Sequence, residues 1–145
     1  MKPNLLLIDD EFFPNEITIN ELGKYYSVRH CKRAPDGLVE LLNRTDWSMV
    51  IVDMMMPVPT SWSDETQDGE ITGLKILTEA RSHLIAHRIP VLLFTTRDLE
   101  SLRPRLNALD FPPFQFEARE KDRQKVSDIV DLILRLDARV KSGAE

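Results

Sequence analysis

Short runs of apolar residues alternate along the chain with longer segments in which apolar residues recur every three or four positions. The short runs are typical of buried strands, and the longer spacing is typical of amphipathic helices. The clearest run is 49–53, where four apolar residues end in Asp53 and three methionines and Pro57 follow. A short apolar run rich in β-branched residues predicts a strand buried on both faces, as in a parallel sheet.

The same two patterns predict five strands and five helices in strict alternation. The strands cover 5–8, 25–31, 49–53, 89–94 and 114–118, and the helices cover 14–24, 36–42, 73–86, 99–109 and 125–140. Alternation of this kind is typical of an α/β protein, because each crossover between parallel neighbours runs through a helix. We therefore predict a doubly wound five-stranded parallel sheet with helices on both faces.

Residues 58–72 break this alternation. The segment has no apolar periodicity and is rich in Thr, Ser, Asp, Glu and Pro, which is the composition of a loop. It is long for a connection, and it follows the carboxyl end of a predicted strand, where loops commonly carry function. Two interpretations stay open: a solvated, partly disordered loop, and a lid or partner contact.

The composition predicts one domain over 1–145, with a core at about 4–137. The chain is 42% hydrophobic and 30% charged, which is ordinary for a globular protein, and its net charge of -5 gives no support for direct binding to nucleic acid. No apolar segment approaches the length of a membrane span, and the first apolar run stops at Asp9, too early for a signal peptide. We expect a cytoplasmic protein.

Carboxylates follow two of the predicted strands. Asp9 and Asp10 come directly after 5–8, and Asp53 ends 49–53. If these strands are parallel neighbours, their carboxyl ends meet where the strand order reverses, which is where open α/β sheets bind ligands. Three close carboxylates repel one another unless a cation offsets their charge, and oxygen ligands suit Mg²⁺. The sequence therefore predicts a magnesium site at this edge.

Four fragments, in order and at roughly the expected spacing, resemble the receiver domain of two-component response regulators. They are LLIDDE (6–11), VDMMMP (52–57), TGL (72–74) and PVLLFTT (90–96). The resemblance covers about Leu5 to Leu136 and implies the flavodoxin-like receiver fold. Segment 58–72 would then be an insertion beside the acidic site, since the family's glycine normally follows the proline within a few residues.

The resemblance also implies residue roles. Asp53 would accept a phosphoryl group from a histidine kinase or a phosphotransfer protein, and Thr95 would donate its hydroxyl to that group. Asp10 would bind Mg²⁺ directly, Asp9 would hold it through water, and the backbone carbonyl of Met55 would complete the metal site. Such a domain catalyses at most its own phosphorylation and dephosphorylation, turns over no separate substrate, and acts through protein contacts.

The family's Lys-Pro pair is missing after the fifth predicted strand. If Asp122 is the N-cap of the last helix, Arg119 takes the place of the lysine and Phe116 that of the switch aromatic. A second register gives these places to Glu117 and Phe114. We favour Arg119 as the tentative replacement, because a guanidinium stays charged and can bind phosphate in a bidentate manner.

Two function classes therefore stay open. The first is a phosphoacceptor receiver that uses Mg²⁺ and Asp53. The second is a receiver-like interaction module that switches without phosphorylation. The missing Lys-Pro favours the second class, and the three aspartates favour the first.

Overall fold

The computed structural model describes residues 2–10, 16–121 and 125–143. Within these ranges, five strands form one sheet. They are β1 (Asn4–Ile8), β2 (Ser27–Cys31), β3 (Trp47–Asp53), β4 (Val91–Thr95) and β5 (Phe116–Glu120). The order across the sheet is β2-β1-β3-β4-β5, and every neighbouring pair is parallel.

Helices cover both faces of this sheet. The described ranges contain α1 (Glu16–Leu22), α2 (Ala34–Asn43), α3 (Ser63–Thr66), α4 (Thr72–Ala86), α5 (Leu99–Leu109) and α6 (Val126–Lys141). Helices α2, α4 and α5 pack on one face, and α1 and α6 pack on the other. This arrangement confirms the predicted doubly wound fold. No helix in the described ranges has both the length and the apolar character that crossing a bilayer requires.

The apolar runs of the strands are explained by burial on both faces. Successive side chains of a strand point to opposite faces of the sheet. In β1, Leu6 and Ile8 pack toward α2, α4 and α5, whereas Leu5 and Leu7 pack toward α1 and α6. Each residue of such a strand therefore needs an apolar side chain.

The strand order reverses beside β1. The chain passes from β1 to β2 on one side and then crosses to β3 on the other. Ile8 lies opposite Val52 in the ladder between β1 and β3. Asp9 and Asp53, each one position further along, therefore reach the carboxyl edge side by side.

The fifth strand begins two residues later than the sequence predicts. A 3₁₀ turn, Pro113–Gln115, occupies the predicted start. The buried Gln115 side chain fixes this turn, since its Nε2 donates to the carbonyls of Leu84 (3.1 Å) and Ile89 (3.0 Å). The predicted N-cap Asp122 lies outside the described residues, and Lys125 is the N-cap of α6.

Segment 58–72 contains helical turns where the sequence predicts a loop. A 3₁₀ turn, Thr60–Trp62, leads into α3. The fully buried Thr66 hydroxyl donates to the Trp62 carbonyl (2.8 Å) and accepts the Gly69 amide (3.1 Å). The Thr66 side chain therefore satisfies two backbone groups within the segment, which stabilises turns that have no apolar periodicity.

Candidate functional site

Three aspartates meet at the carboxyl edge of β1 and β3. One carboxylate oxygen from each of Asp9, Asp10 and Asp53 lies within 4.8 Å of the others. Asp9 and Asp53 are 2% and 4% exposed, and Asp10 is half-buried. The strand order thus brings together the three carboxylates that the sequence predicts at this edge.

Lys121 supplies a cation to this cluster. Its Nζ lies 3.0 Å from Asp53 Oδ1 and 3.9 Å from Asp9 Oδ2, and its side chain is 11% exposed. Lys121 follows the last residue of β5, so the ends of three parallel strands contribute to one site. Among these four described side chains, one ammonium faces three carboxylates, which leaves an excess of negative charge within the set.

Burial raises the pKa of Asp53 above its usual range, although the Lys121 ammonium and the Met55 amide both favour the charged carboxylate. A charged Asp53 is therefore incompletely stabilised by the protein alone. An additional cation would favour the ionised carboxylate.

The donor set fits Mg²⁺. This ion prefers oxygen ligands and is typically held by one or two carboxylates together with water. Asp9, Asp10 and Asp53 offer three carboxylates. Their combined negative charge exceeds the positive charge of Lys121, which favours the binding of a cation. Met55 lines the same site, and the role of its carbonyl as a metal ligand stays a prediction.

The cluster opens into a cleft of about 470 Å³. Asp10, Asp53 and Lys121 line it together with Met55, Met56 and Pro57. Residues 68–70, from the segment before α4, form another part of its wall. Segment 58–72 therefore contributes to the site directly.

Known proteins resemble this chain in structure but not in sequence. No protein-family model matches it, and no curated protein sequence matches it. The CheY-like receiver domain protein of Methanospirillum hungatei JF-1 superposes with a TM-score of 0.69 at 20% identity, over 99% of this chain and 100% of that one. The signal receiver domain of a putative Luxo repressor protein from Vibrio parahaemolyticus gives 0.72 at 14%, over 99% and 95%. This chain has the receiver fold.

A third similar structure carries a different name. The structure called adenylate cyclase from Rhodopirellula baltica superposes with a TM-score of 0.68 at 22% identity, over 99% of this chain and 93% of that one. Proteins with different names therefore share the receiver fold at these identities. A shared fold does not establish a shared function, which depends on the residues of the site.

In the receiver fold of this chain, Thr95 ends β4, the strand next to β3. Thr95 is fully buried, and its hydroxyl oxygen accepts the backbone N–H of Arg97 at 2.9 Å. The neighbouring Thr96 lines the cleft, and its hydroxyl lies 3.5 Å from the sulfur of Met55. The Thr95 hydroxyl, which the sequence predicts to be functional, thus lies at the end of the strand next to β3 and accepts a hydrogen bond from the nearby backbone.

Arg119, the predicted replacement for the lysine, lies elsewhere. Its Nη1 pairs with Glu117 Oε2 at 2.8 Å, so the two residues that the sequence offered as alternatives bind each other. Among the described residues after β5, Lys121 reaches Asp53, and the sequence patterns did not identify it. The available signal was its place immediately after the fifth strand. Counting back from Asp122 as the N-cap of the last helix pointed to Arg119 instead, whereas Lys125 is the N-cap of α6.

The two candidate switch aromatics also separate in the structure. Phe116 begins β5 and stacks on Phe111, with ring centroids 5.2 Å apart. Phe114 is buried in the preceding turn, and the guanidinium of Arg88 lies 4.4 Å from its ring centroid. Of the two, only Phe116 belongs to the strand that leads to Lys121.

Proposed function

We propose that this protein is a phosphoacceptor receiver in two-component signal transduction. Asp53 would take a phosphoryl group from a histidine kinase or a phosphotransfer protein. The observation that carries this proposal is the environment of Asp53, a buried carboxylate that lies 3.0 Å from the Lys121 ammonium and within 4.8 Å of two further carboxylates. The protein would work in the cytoplasm, through protein contacts rather than direct contact with nucleic acid.

The chemistry assigns a role to each group. An Asp53 carboxylate oxygen attacks phosphorus, the bond from phosphorus to the donor breaks, and the donor leaves with that electron pair. Charge on the transferred phosphoryl oxygens is the main barrier to such a step, and nearby cations lower it. Asp9, Asp10 and Asp53 would hold Mg²⁺, which supplies part of this charge neutralisation when bound.

Lys121 supplies another part of this charge neutralisation. In the unphosphorylated protein its ammonium pairs with Asp53 Oδ1 at 3.0 Å. A lysine ammonium has three donors on a flexible stem, so it can hold a carboxylate oxygen and a phosphoryl oxygen at the same time. We therefore propose Lys121, in place of Arg119, for the role of the family's lysine.

Thr95 would transmit the change. Its hydroxyl oxygen accepts the Arg97 amide, and the hydroxyl hydrogen can still be donated to a new acceptor. A phosphoryl group on Asp53 would add such acceptors and a negative charge next to β4. Added charge of this kind biases an element that has two arrangements, and the result is read elsewhere by a partner protein.

The alternative is a receiver-like module that switches without phosphate. Its support was the missing Lys-Pro pair, which left the family's lysine without a direct counterpart in the sequence. Lys121 provides a cation although no proline follows it, so the contact with Asp53 supports the phosphoacceptor role.

Intact-mass spectrometry after incubation with acetyl phosphate and Mg²⁺ tests the proposal. We expect one added phosphoryl group on the wild type and none on Asp53→Asn. Asp64→Asn, which changes an exposed acid in α3, is the matched control and should be labelled like the wild type. An unmodified wild type, under conditions that label another receiver, would favour the module that switches without phosphate.

A further inference from the structure

The backbone that follows Asp53 is held by residues around the start of α4. Met56 N donates to the Gly69 carbonyl at 3.1 Å, and Gly73 N donates to the Met54 carbonyl at 2.9 Å. The Thr72 hydroxyl lies 2.7 Å from the Met56 carbonyl and 3.0 Å from the Gly69 carbonyl. We call these contacts of Gly69, Thr72 and Gly73 with residues 54–56 the clamp.

The clamp is tightly packed. Gly69 has φ of +95°, and a Cβ there would lie 2.5 Å from the Met56 carbonyl oxygen. A Cβ on Gly73 would lie 2.8 Å from the Asp53 carbonyl oxygen. Thr72 is fully buried, so its hydroxyl has no water to replace a lost partner. Gly69 and Gly73 therefore lie too close to the backbone of residues 53–56 for a side chain at either position.

This backbone is connected to the Asp53 side chain. Met55 N lies 3.4 Å from Asp53 Oδ1, which is the oxygen that also pairs with Lys121. The peptide group of Met55 lies between two clamped residues, so a shift of Met54 or Met56 moves the amide that faces the carboxylate. At 3.4 Å this hydrogen bond is already long, and a small displacement breaks it.

We propose that Thr72 is a positioning residue for the acidic site. Through the clamp it fixes residues 54–56, and through the Met55 amide it fixes the Asp53 carboxylate for Mg²⁺ and for the phosphoryl group. Segment 58–72 is then an internal brace for the site. This inference rests on the proposed function, because it assigns the brace to the metal and phosphoryl chemistry of Asp53.

Thr72→Val tests the inference, because valine keeps the shape and removes the hydroxyl. Thr72→Ser restores the hydroxyl. Thr78→Val is the matched control, since the Thr78 hydroxyl donates to a backbone carbonyl of the same helix at 2.7 Å and does not belong to the clamp. Thr66→Val releases the Gly69 amide and so loosens the clamp without touching Thr72. It provides a second test if Thr72→Val does not fold.

Two measurements are needed, and both avoid the activity of the phosphorylated protein. The first is Mg²⁺ affinity by calorimetry, where Thr72→Val should bind about tenfold more weakly, as expected when a residue that orients a metal ligand is lost. The second is amide hydrogen exchange of residues 54–56 without metal, which should become faster. Thr66→Val should change both in the same direction, whereas Thr72→Ser and Thr78→Val should match the wild type.

The outcomes separate this inference from the proposed function. If the wild type binds Mg²⁺ and Thr72→Val binds it equally well, the inference is overturned and the proposed function stands. Weaker binding with unchanged exchange at 54–56 also overturns the inference, because the effect would not pass through the backbone. If the wild type neither binds Mg²⁺ nor accepts a phosphoryl group, the proposed function itself fails.

Discussion

Asp10→Asn is expected to stabilise the metal-free protein. Asp10 lies within 4.8 Å of the carboxylates of Asp9 and Asp53, and Lys121 is paired with those two residues. The substitution therefore removes like-charge repulsion while keeping both of those ion pairs. An asparagine of nearly the same shape also keeps a polar side chain at this half-buried position.

The size of this stabilisation follows from the distances between the carboxylates. Two unit charges 4.8 Å apart repel by about 1 kcal/mol in a water-like medium and by about 3 kcal/mol at an effective dielectric of 20. Asp10 is half-buried and the nearby Lys121 offsets part of the repulsion, so a net gain on the order of 1 kcal/mol is expected. For a chain of 145 residues this raises the melting temperature by about 3 °C.

Thermal unfolding at neutral pH and low salt, first with a chelator and then with Mg²⁺, measures this change in melting temperature. With the chelator, Asp10→Asn should melt above the wild type. With saturating Mg²⁺ the order should reverse, because a ligand at 100 times its Kd stabilises the folded wild type by about 2.7 kcal/mol and the variant has lost a metal ligand. Asp131→Asn, which changes an exposed acid on α6, is the control and should match the wild type in both conditions.

The reasoning fails if Asp10→Asn melts below the wild type in the chelator. That result would mean that Asp10 stabilises the metal-free fold and that the three carboxylates do not repel as their distances require. An unchanged order in Mg²⁺ would instead show that Asp10 is not a metal ligand.

Three further predictions concern other contacts. Lys121→Met should lower the unfolding free energy of the metal-free protein by about 3 kcal/mol in urea titrations, because it removes the ammonium that pairs with the buried Asp53 carboxylate, whereas Arg119→Met should cost less than about 1 kcal/mol; equal losses would contradict this. Met55→Asn should speed loss of the phosphoryl group several-fold after the donor is removed, since a thioether on the cleft cannot orient water; an unchanged decay would show that Met55 does not control the water. Burial and the 2.6 Å hydrogen bond to Asp137 raise the pKa of Tyr26, so its stabilisation is complete below about pH 10 and is lost as the pH rises through the raised value. Above about pH 10, Tyr26→Phe should therefore lose less stability with rising pH than the wild type. Parallel curves of unfolding free energy against pH would refute this.

The sequence alone determined the layout of the sheet and the acidic part of the site. The apolar runs that became β1 and β3 are encoded locally, because a strand buried on both faces needs apolar residues at each position. Helix α5 covers the predicted range, since its apolar spacing and its N-cap Asp98 are also local signals. Once strand order follows from the crossovers, Asp9, Asp10 and Asp53 must share an edge.

The lysine of the site was decided by tertiary structure. The start of β5 depends on Gln115, whose partners are carbonyls of Leu84 and Ile89, 31 and 26 residues away in the chain. No local pattern encodes such a contact, so the predicted strand began too early. Arg119 was selected by counting back from Asp122 as the N-cap of the last helix, whereas Lys125 is the N-cap of α6. The pairing of β5 with β4 in the actual register brings Lys121 to the carboxyl edge.

Tertiary structure also decided the conformation of segment 58–72 and its position beside the acidic site. Its residues are polar and without period, so the sequence favours a loop. In the fold, the hydroxyls of Thr66 and Thr72 and the carbonyl of Gly69 find backbone partners, two of them on Met56, beside the acidic site. The residue type shows which hydrogen-bond donors and acceptors a polar side chain has. Its partner is known only from the tertiary structure, because that partner can lie far away in the chain.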